Sequence, residues 1–377
     1  ELYSRLSFDY FSAYINSAKT VESKTNAQTK AKMDYRIIIS GLNKRLDTVQ
    51  IKQCSQNWAA IDPSKQTSIT MHKQKTAFLN FTKDGEQRYK CEDRVTCGDN
   101  FKAFVKKVAS GEQEVKGKRV GLNDFTVNAL DLMRRGLVNS SDEGIILNGQ
   151  WDDNSKQTGN LENFIPMIDV SGSMSGDPLH AAIALGIRIA EKSSLGKRAL
   201  TFHAEPSWIN LESCSGFINM VEKVRKAEWG MNTNFKKALN MILNTIIAKN
   251  LHPDEVSNMT LVILSDMQCD DADNSGATMY ESIETMYASA GNTLFGKPFK
   301  PPHILFWNLR STSGFPSLST QPNVSMMSGF SPALLNLFCE QGMDALQDCT
   351  PWSIFLKSLE NERYNILGNR INEEFCV

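Results

Sequence analysis

An α/β fold, a doubly wound and mostly parallel sheet preceded by an all-α N-terminal domain, is what the sequence predicts, and three observations predict it. After Leu161, short apolar runs alternate with amphipathic helical stretches, the pattern of βαβ units with right-handed crossovers. Before residue 136 the periodicity is helical and strand signal is scarce. The charge also changes sign: residues 1–135 carry 24 Lys and Arg against 15 Asp and Glu, and the remainder carries 17 against 27. The 377 residues, with a net charge of only −1, therefore divide into a basic helical domain, 1–150, and an acidic α/β domain, 162–377.

In the basic part, 26–50 and 122–135 read as helices. "DNFKAFVKKVASGE" sets Phe101, Phe104, Val105 and Val108 at i, i+3, i+4 and i+7, with Lys102, Lys106 and Lys107 largely off that face. The stretch 84–99 is polar and reads as a loop or a short helix, with Cys91 and Cys97 incidental to it. Residues 136–161 are rich in Asn, Ser, Asp, Gly and Gln, a composition that suits a linker. Strands follow at "FIPMI", "ALTF", "MTLVIL" and "HILFW", with helices at 177–194, 215–227, 276–290 and from 331. Asp177-Pro178 supplies a cap and a first-turn proline. Leu179, Ala182, Ile183, Gly186, Ile187 and Ala190 then form one stripe, and Phe235, Ala238, Leu239, Ile242, Leu243 and Ile246 form a second. Both stripes are core faces.

The 41% hydrophobic content is ordinary for a globular chain, and no run approaches the roughly 20 apolar residues that span a bilayer. No signal-peptide pattern opens the chain, although its first residue is Glu1, so a longer chain with a targeting segment stays open. The eight cysteines lack the paired spacing of a zinc site and read as reduced thiols in an intracellular, cytoplasmic setting, or in a virion if the protein is viral.

The chemistry concentrates in "DVSGSMSG", which leaves the first predicted strand at the end where open α/β sheets bind ligands. A nucleophile elbow would put serine where Met174 stands. Neither phosphate-binding glycine pattern is present, and Asp169 is followed by two hydroxyls where an aspartyl nucleophile would want a second carboxylate. In extended backbone, residues 169, 171 and 173 point the same way, so Asp169, Ser171 and Ser173 form an all-oxygen set suited to a hard cation. Thr233 in "WGMNTNF" and Asp266 in "LVILSDMQ" stand where further oxygens are needed. A helix-capping turn that satisfies its own backbone is the alternative for 169–173. The run Cys269, Asp270, Asp271, Asp273 either extends the site or is a solvated loop, and His180 and His203 read as exposed structural residues.

"DVSGSMSG", a threonine before a helix and "ILSDMQ", in this order, resemble the von Willebrand factor A domain with its metal-ion-dependent adhesion site, over roughly 162–377. The resemblance implies that Ser171, Ser173 and Thr233 bind the metal directly and that Asp169 and Asp266 act mainly through water. It also implies a coordination position left for a partner's carboxylate, and Mg²⁺, or Ca²⁺ or Mn²⁺, as the ion. "MNTN" departs from the glycine-rich approach usual before that threonine. "FIPMIDVSGSMSGDPLHAAIALGIRIAE" together with "ALTFHAEPSWINL" is similar to DUF2828, a family of plant and large DNA virus proteins. The architecture also resembles the Ro ribonucleoprotein autoantigen, whose helical TROVE module binds RNA.

Function is accordingly expected to be non-enzymatic: a binding or scaffold protein that engages a protein partner through the metal. RNA binding is expected at Lys102, Lys106, Lys107, Arg134 and Arg135, unless these merely solvate a helical surface. The alternative is a metal-dependent phosphoester hydrolase, which would need a general base beside the ion.

Overall fold

A computed structural model of the chain describes residues 2–82, 84–227, 234–267, 276–310 and 323–329, with scattered positions beyond 329. Residues 1–66 with 76–104 form one compact unit, and 67–75 with 105–377 form a second. By contacts, residues 105–161 fall in the same unit as the sheet.

The first unit is helical. It holds α1 (Leu2–Tyr10), α2 (Ser12–Ser17), α3 (Val21–Arg45) and α4 (Val49–Cys54), with parts of α5 (Ser68–Leu79) and α6 (Glu92–Ala109). The single helix expected over 26–50 is broken at Asp47, whose φ of +48° lies in the left-handed region. The polar stretch 84–99, expected to be a loop or a short helix, is in its second half the start of α6, at Glu92. Glu92 and Asp93 in its first turn complement the helix dipole, and Asp93 also accepts backbone N–H bonds from Trp58 and Ala59, both at 2.8 Å.

In the second unit α7 (Leu122–Arg134) buries Leu122, Phe125, Thr126, Ala129 and Leu132 along one stripe. The segment 136–161, expected as a linker, carries α8 (Asp142–Ser155), capped by the Ser141 hydroxyl. Its polar residues are structural. Gln150 donates to the Ser68 and Lys116 carbonyls at 3.0 and 2.8 Å, and Asp153 accepts from the Gly117 N–H at 2.7 Å. Composition suggested solvation; the side chains are spent on neighbouring loops.

The sheet contains β1 (Phe164–Ile168), β2 (Arg198–Thr201), β3 (Trp208–Asn210), β4 (Thr260–Ser265), β5 (His303–Asn308) and β6 (Val324–Ser328), in the order β3-β2-β1-β4-β5-β6. Every pairing is parallel except β2 with β3. The helices are α9 (Asp177–Lys192), α10 (Phe217–Arg225), α11 (Phe235–Ala248), α12 (Pro253–Val256) and α13 (Gly276–Phe295). This is the predicted doubly wound class. Side chains alternate across the sheet: Phe164, Ile168, Val262, Leu264, Leu305 and Trp307 face α7 to α10, whereas Ile165, Met167, Leu261, Ile263, Ile304 and Phe306 face α11 and α13. Strands buried on both faces read as continuous apolar runs, which is why four of them are visible in the sequence. Among the described residues no helix is long and apolar enough to cross a membrane.

Candidate metal centre

Strand order reverses between β1 and β4: β2 lies beyond β1, and β5 beyond β4. The chain segments leaving these two adjacent strands therefore diverge and open a crevice between them. Asp169 follows β1, Asp266 follows β4, and both are buried, with 3% and 1% of their surfaces exposed. The Asp169 N–H still bonds the Leu264 carbonyl at 3.0 Å, so the ladder itself sets where the carboxylate stands.

Beyond Asp169 the chain runs through Ser171 into a single 3₁₀ turn, Gly172–Met174, whose Met174 side chain is fully buried and anchors the loop from below. Gly176, at φ +98°, turns the chain into α9, a conformation that a β-carbon would strain. The Ser171 and Ser173 hydroxyl oxygens lie 2.9 Å apart on the outer side of this loop.

Each Asp169 oxygen accepts one bond, Oδ1 from the Ser171 N–H at 2.8 Å and Oδ2 from the Ser265 hydroxyl at 2.7 Å. The first is the capping turn considered as the alternative. It does not account for the Ser265 contact, the paired hydroxyls or the second buried carboxylate. Burial raises the Asp169 pKa, hydrogen bonds from Ser171 and Ser265 oppose the rise, and the charge of Asp266 adds to it. An ionised oxygen with one bond keeps a lone pair for a water or a cation.

Arg310, just beyond β5, completes the described surroundings. Its Nε lies 3.9 Å from Asp266 Oδ2, its Nη2 donates to the Ser175 carbonyl at 2.8 Å, and its side chain is 37% exposed. Ser265 and Arg310 were not singled out from the sequence. Ser265 was hidden inside an apolar strand, and Arg310 reaches the site only through the alignment of β5 with β4, which pairs Ser265 with Asn308.

The structure brings together Asp169, Ser171, Ser173 and Asp266. Thr233 lies outside the described residues, as does the acidic run from Cys269 to Asp273. Among the described residues no three His, Cys, Asp or Glu side chains gather as a metal cluster. A site made of two carboxylates and two hydroxyls does not take that form. Its donors are all hard oxygens, and the two buried carboxylates repel one another, so the set fits a hard divalent cation. His180, expected to be exposed, is half-buried 3.8 Å from Asp177, and its pKa is lowered chiefly by burial, while His203 bonds the backbone of Glu205.

The basic residues are distributed differently. Lys102, Lys106 and Lys107 share α6; Lys106 and Lys107 are exposed, and the Lys102 ammonium sits 4.7 Å from the Phe81 ring centre. Arg134 pairs with Asp131 at 2.9 Å. Arg135 is largely buried and held by Glu143 at 2.6 Å.

Three comparisons with known proteins place the chain. A sequence-family profile described as a domain of unknown function (DUF7788) matches residues 163–364; its designation is not DUF2828. An uncharacterised protein of Acanthamoeba polyphaga mimivirus is 31% identical over 334 residues, which is 86% of this chain and 54% of that protein, so the chain spans about half the length of that curated relative. The crystal structure of the Deinococcus radiodurans RO (RSR) protein aligns at a TM-score of 0.38 with 10% identity, covering 90% of this chain and 74% of that one.

Proposed function

The chain belongs to the DUF7788 family, and from that premise we propose that it is a binding module rather than an enzyme, one that engages a protein carboxylate through a divalent ion in the manner of a von Willebrand factor A domain. Mg²⁺ is the first choice of ion, with Ca²⁺ and Mn²⁺ as substitutes. Ser171, Ser173 and Thr233 would hold it directly, and Asp169 and Asp266 through water.

The observation that carries this reading is the burial of Asp169 beside Asp266 at the sheet's switch point, two like charges flanked by two converging hydroxyls. A bound cation supplies charge neutralisation there and a coordination position for an anionic partner. The phosphoester hydrolase reading is weaker. It needs a general base, and Asp169, the natural candidate, already accepts the Ser171 N–H and the Ser265 hydroxyl.

RNA contact by the helical part extends the same reading. It is supported by the exposed Lys106, Lys107 and Arg134 and by the basic excess before residue 136. Arg135, bound to Glu143, would not take part.

Asp169→Ala tests the metal. Isothermal calorimetry should show that Mg²⁺ binding is lost while far-UV circular dichroism is retained. An unchanged Mg²⁺ affinity in that variant would remove the assignment. Partner capture should likewise disappear when a chelator is added.

A further inference from the structure

Where α11 covers the β2–β3 edge of the sheet, the surface holds a cavity of about 400 Å³. Alternation along β2 puts Arg198 on the same face as Leu200, whose partner across the antiparallel pair is Trp208. Met241 and Ala248, two turns apart on α11, and its C-terminal cap residue Lys249 close the other wall. Because β2 runs parallel to β1, a cavity beside the first residue of β2 and the last turn of α11 lies toward the end of the sheet opposite Asp169. Its volume falls within the range of small-molecule sites, about 300–1,000 Å³.

Two cations meet at this cavity, and neither is fully engaged. A β-carbon built on Gly196 would stand 3.2 Å from the Lys249 ammonium, 3.5 Å from Arg198 Nη2 and 2.9 Å from Glu212 Oε1, so both cations converge on one carboxylate. Arg198 holds that carboxylate loosely, at 3.6 Å, and its buried Nε has no hydrogen-bond partner among the described residues. Lys249 spends one of its three donors on the Ser194 carbonyl, at 3.3 Å. The Glu212 side chain is 54% exposed, and an ion pair this open to water yields to a better anion. Beside the cations the walls are apolar. Trp208 is half-buried, its ring centre lies 5.6 Å from the Arg198 guanidinium carbon, and Met241 faces the same space. An indole and a thioether together suit a flat ring.

We infer that this cavity binds a small aromatic phosphate, its ring against Trp208 and Met241 and its oxyanion displacing Glu212 from Arg198 and Lys249. A phosphate monoester suits the pair because its double charge meets two cations at once and its oxygens match the guanidinium fork. The inference goes beyond the binding reading above and needs no metal.

Isothermal calorimetry on the full chain, in EDTA, compares phenyl phosphate, AMP and inorganic phosphate. At least one aromatic phosphate should bind tenfold or more tightly than the inorganic ion, and which of the two binds better tells whether a single ring or a nucleotide fills the space. Ala248→Phe, at an exposed position, fills the cavity and should abolish that preference while circular dichroism stays unchanged. Arg198→Gln and Lys249→Gln should each cost about tenfold, the loss of a charge-assisted hydrogen bond. Glu212→Gln removes the competing carboxylate and should tighten binding about threefold, a gain that misfolding cannot produce. Equal affinity for all three phosphates, a preference that survives in Ala248→Phe, or a Glu212→Gln variant no tighter than the wild type would each overturn the inference.

Discussion

Asp169 and His72 show at single residues how burial writes pH dependence into this protein. The Asp169 pKa is raised in the fold, first by burial and then by the charge of Asp266, against the hydrogen bonds from Ser171 and Ser265. A carboxyl with a raised folded pKa takes stability away as pH climbs through that value, and a bound cation restores it. Divalent affinity should therefore fall as the carboxyl is protonated. His72 behaves in the opposite sense. Burial first, and then the charge of Lys75, depress its pKa to about 4 from 6.5. The unfolded chain therefore binds the proton more readily between those values, and stability falls as pH drops through 6.5 toward 4. Urea unfolding at pH 7 and at pH 5 should differ by about 2 kcal/mol from this group, and His72→Gln should flatten that difference. An equal pH dependence in the variant would show that other groups govern it. Arg188 is a third residue of this kind: fully buried, it stacks 3.6 Å from the centre of the Trp151 ring, pairs with Glu191 at 3.1 Å and donates to the Trp151 carbonyl. Neither the His72 nor the Arg188 role was legible in the sequence, because each depends on what other segments bring near. Asp169, Ser171, Ser173 and Asp266 were legible because a local spacing and the end of an apolar strand place them.

At the scale of elements, α9 illustrates what periodicity reveals and what it hides. The sequence stripe from Leu179 to Ala190 was read as one core face, yet every residue from Ala181 to Ala190 is buried. The sheet covers one side and α7 with α10 covers the other, so the helix is internal. Gly186 lies where α9 meets β1, and a β-carbon built there would stand 2.4 Å from Ile168 Cδ1 and 2.6 Å from its Cγ1. Gly186→Ala should therefore destabilise the fold by about 1–3 kcal/mol through overpacking, despite the better helix propensity of alanine. Denaturant titration checks this, and a stabilised variant would mean that the Ile168 side chain can yield. The elements missed from the sequence have physical reasons. β3 has three residues, and β6, an edge strand, exposes Met326 and Ser328, so neither shows an apolar run. The α8 segment looked like a linker because it is rich in polar side chains, and these bond the backbone of neighbouring segments.

Over the whole molecule, the charge asymmetry remains the main functional clue outside the crevice. If the helical part contacts RNA through phosphates, affinity should fall with salt, with a slope of about 0.7 per contact for single strands. For the full chain, substituting Lys106 and Lys107 together by Ala should lower that slope by about 1.4. A filter-binding series with labelled single-stranded RNA measures it. No complex at low salt would leave protein binding as the surviving account, and an unchanged slope would acquit these two lysines. The hydrogen bond from Ser265 to Asp169 spans 96 residues and depends on the pairing of β1 with β4. A site assembled across so long a loop has no local precursor. During synthesis the ribosome must release the chain past Asp266 before the two carboxylates can meet, so a growing polypeptide is blind to the ion until its central strands have closed. If the crevice takes an ion as proposed, its capture would require β1 and β4 to have paired already, whatever the state of the strands that follow.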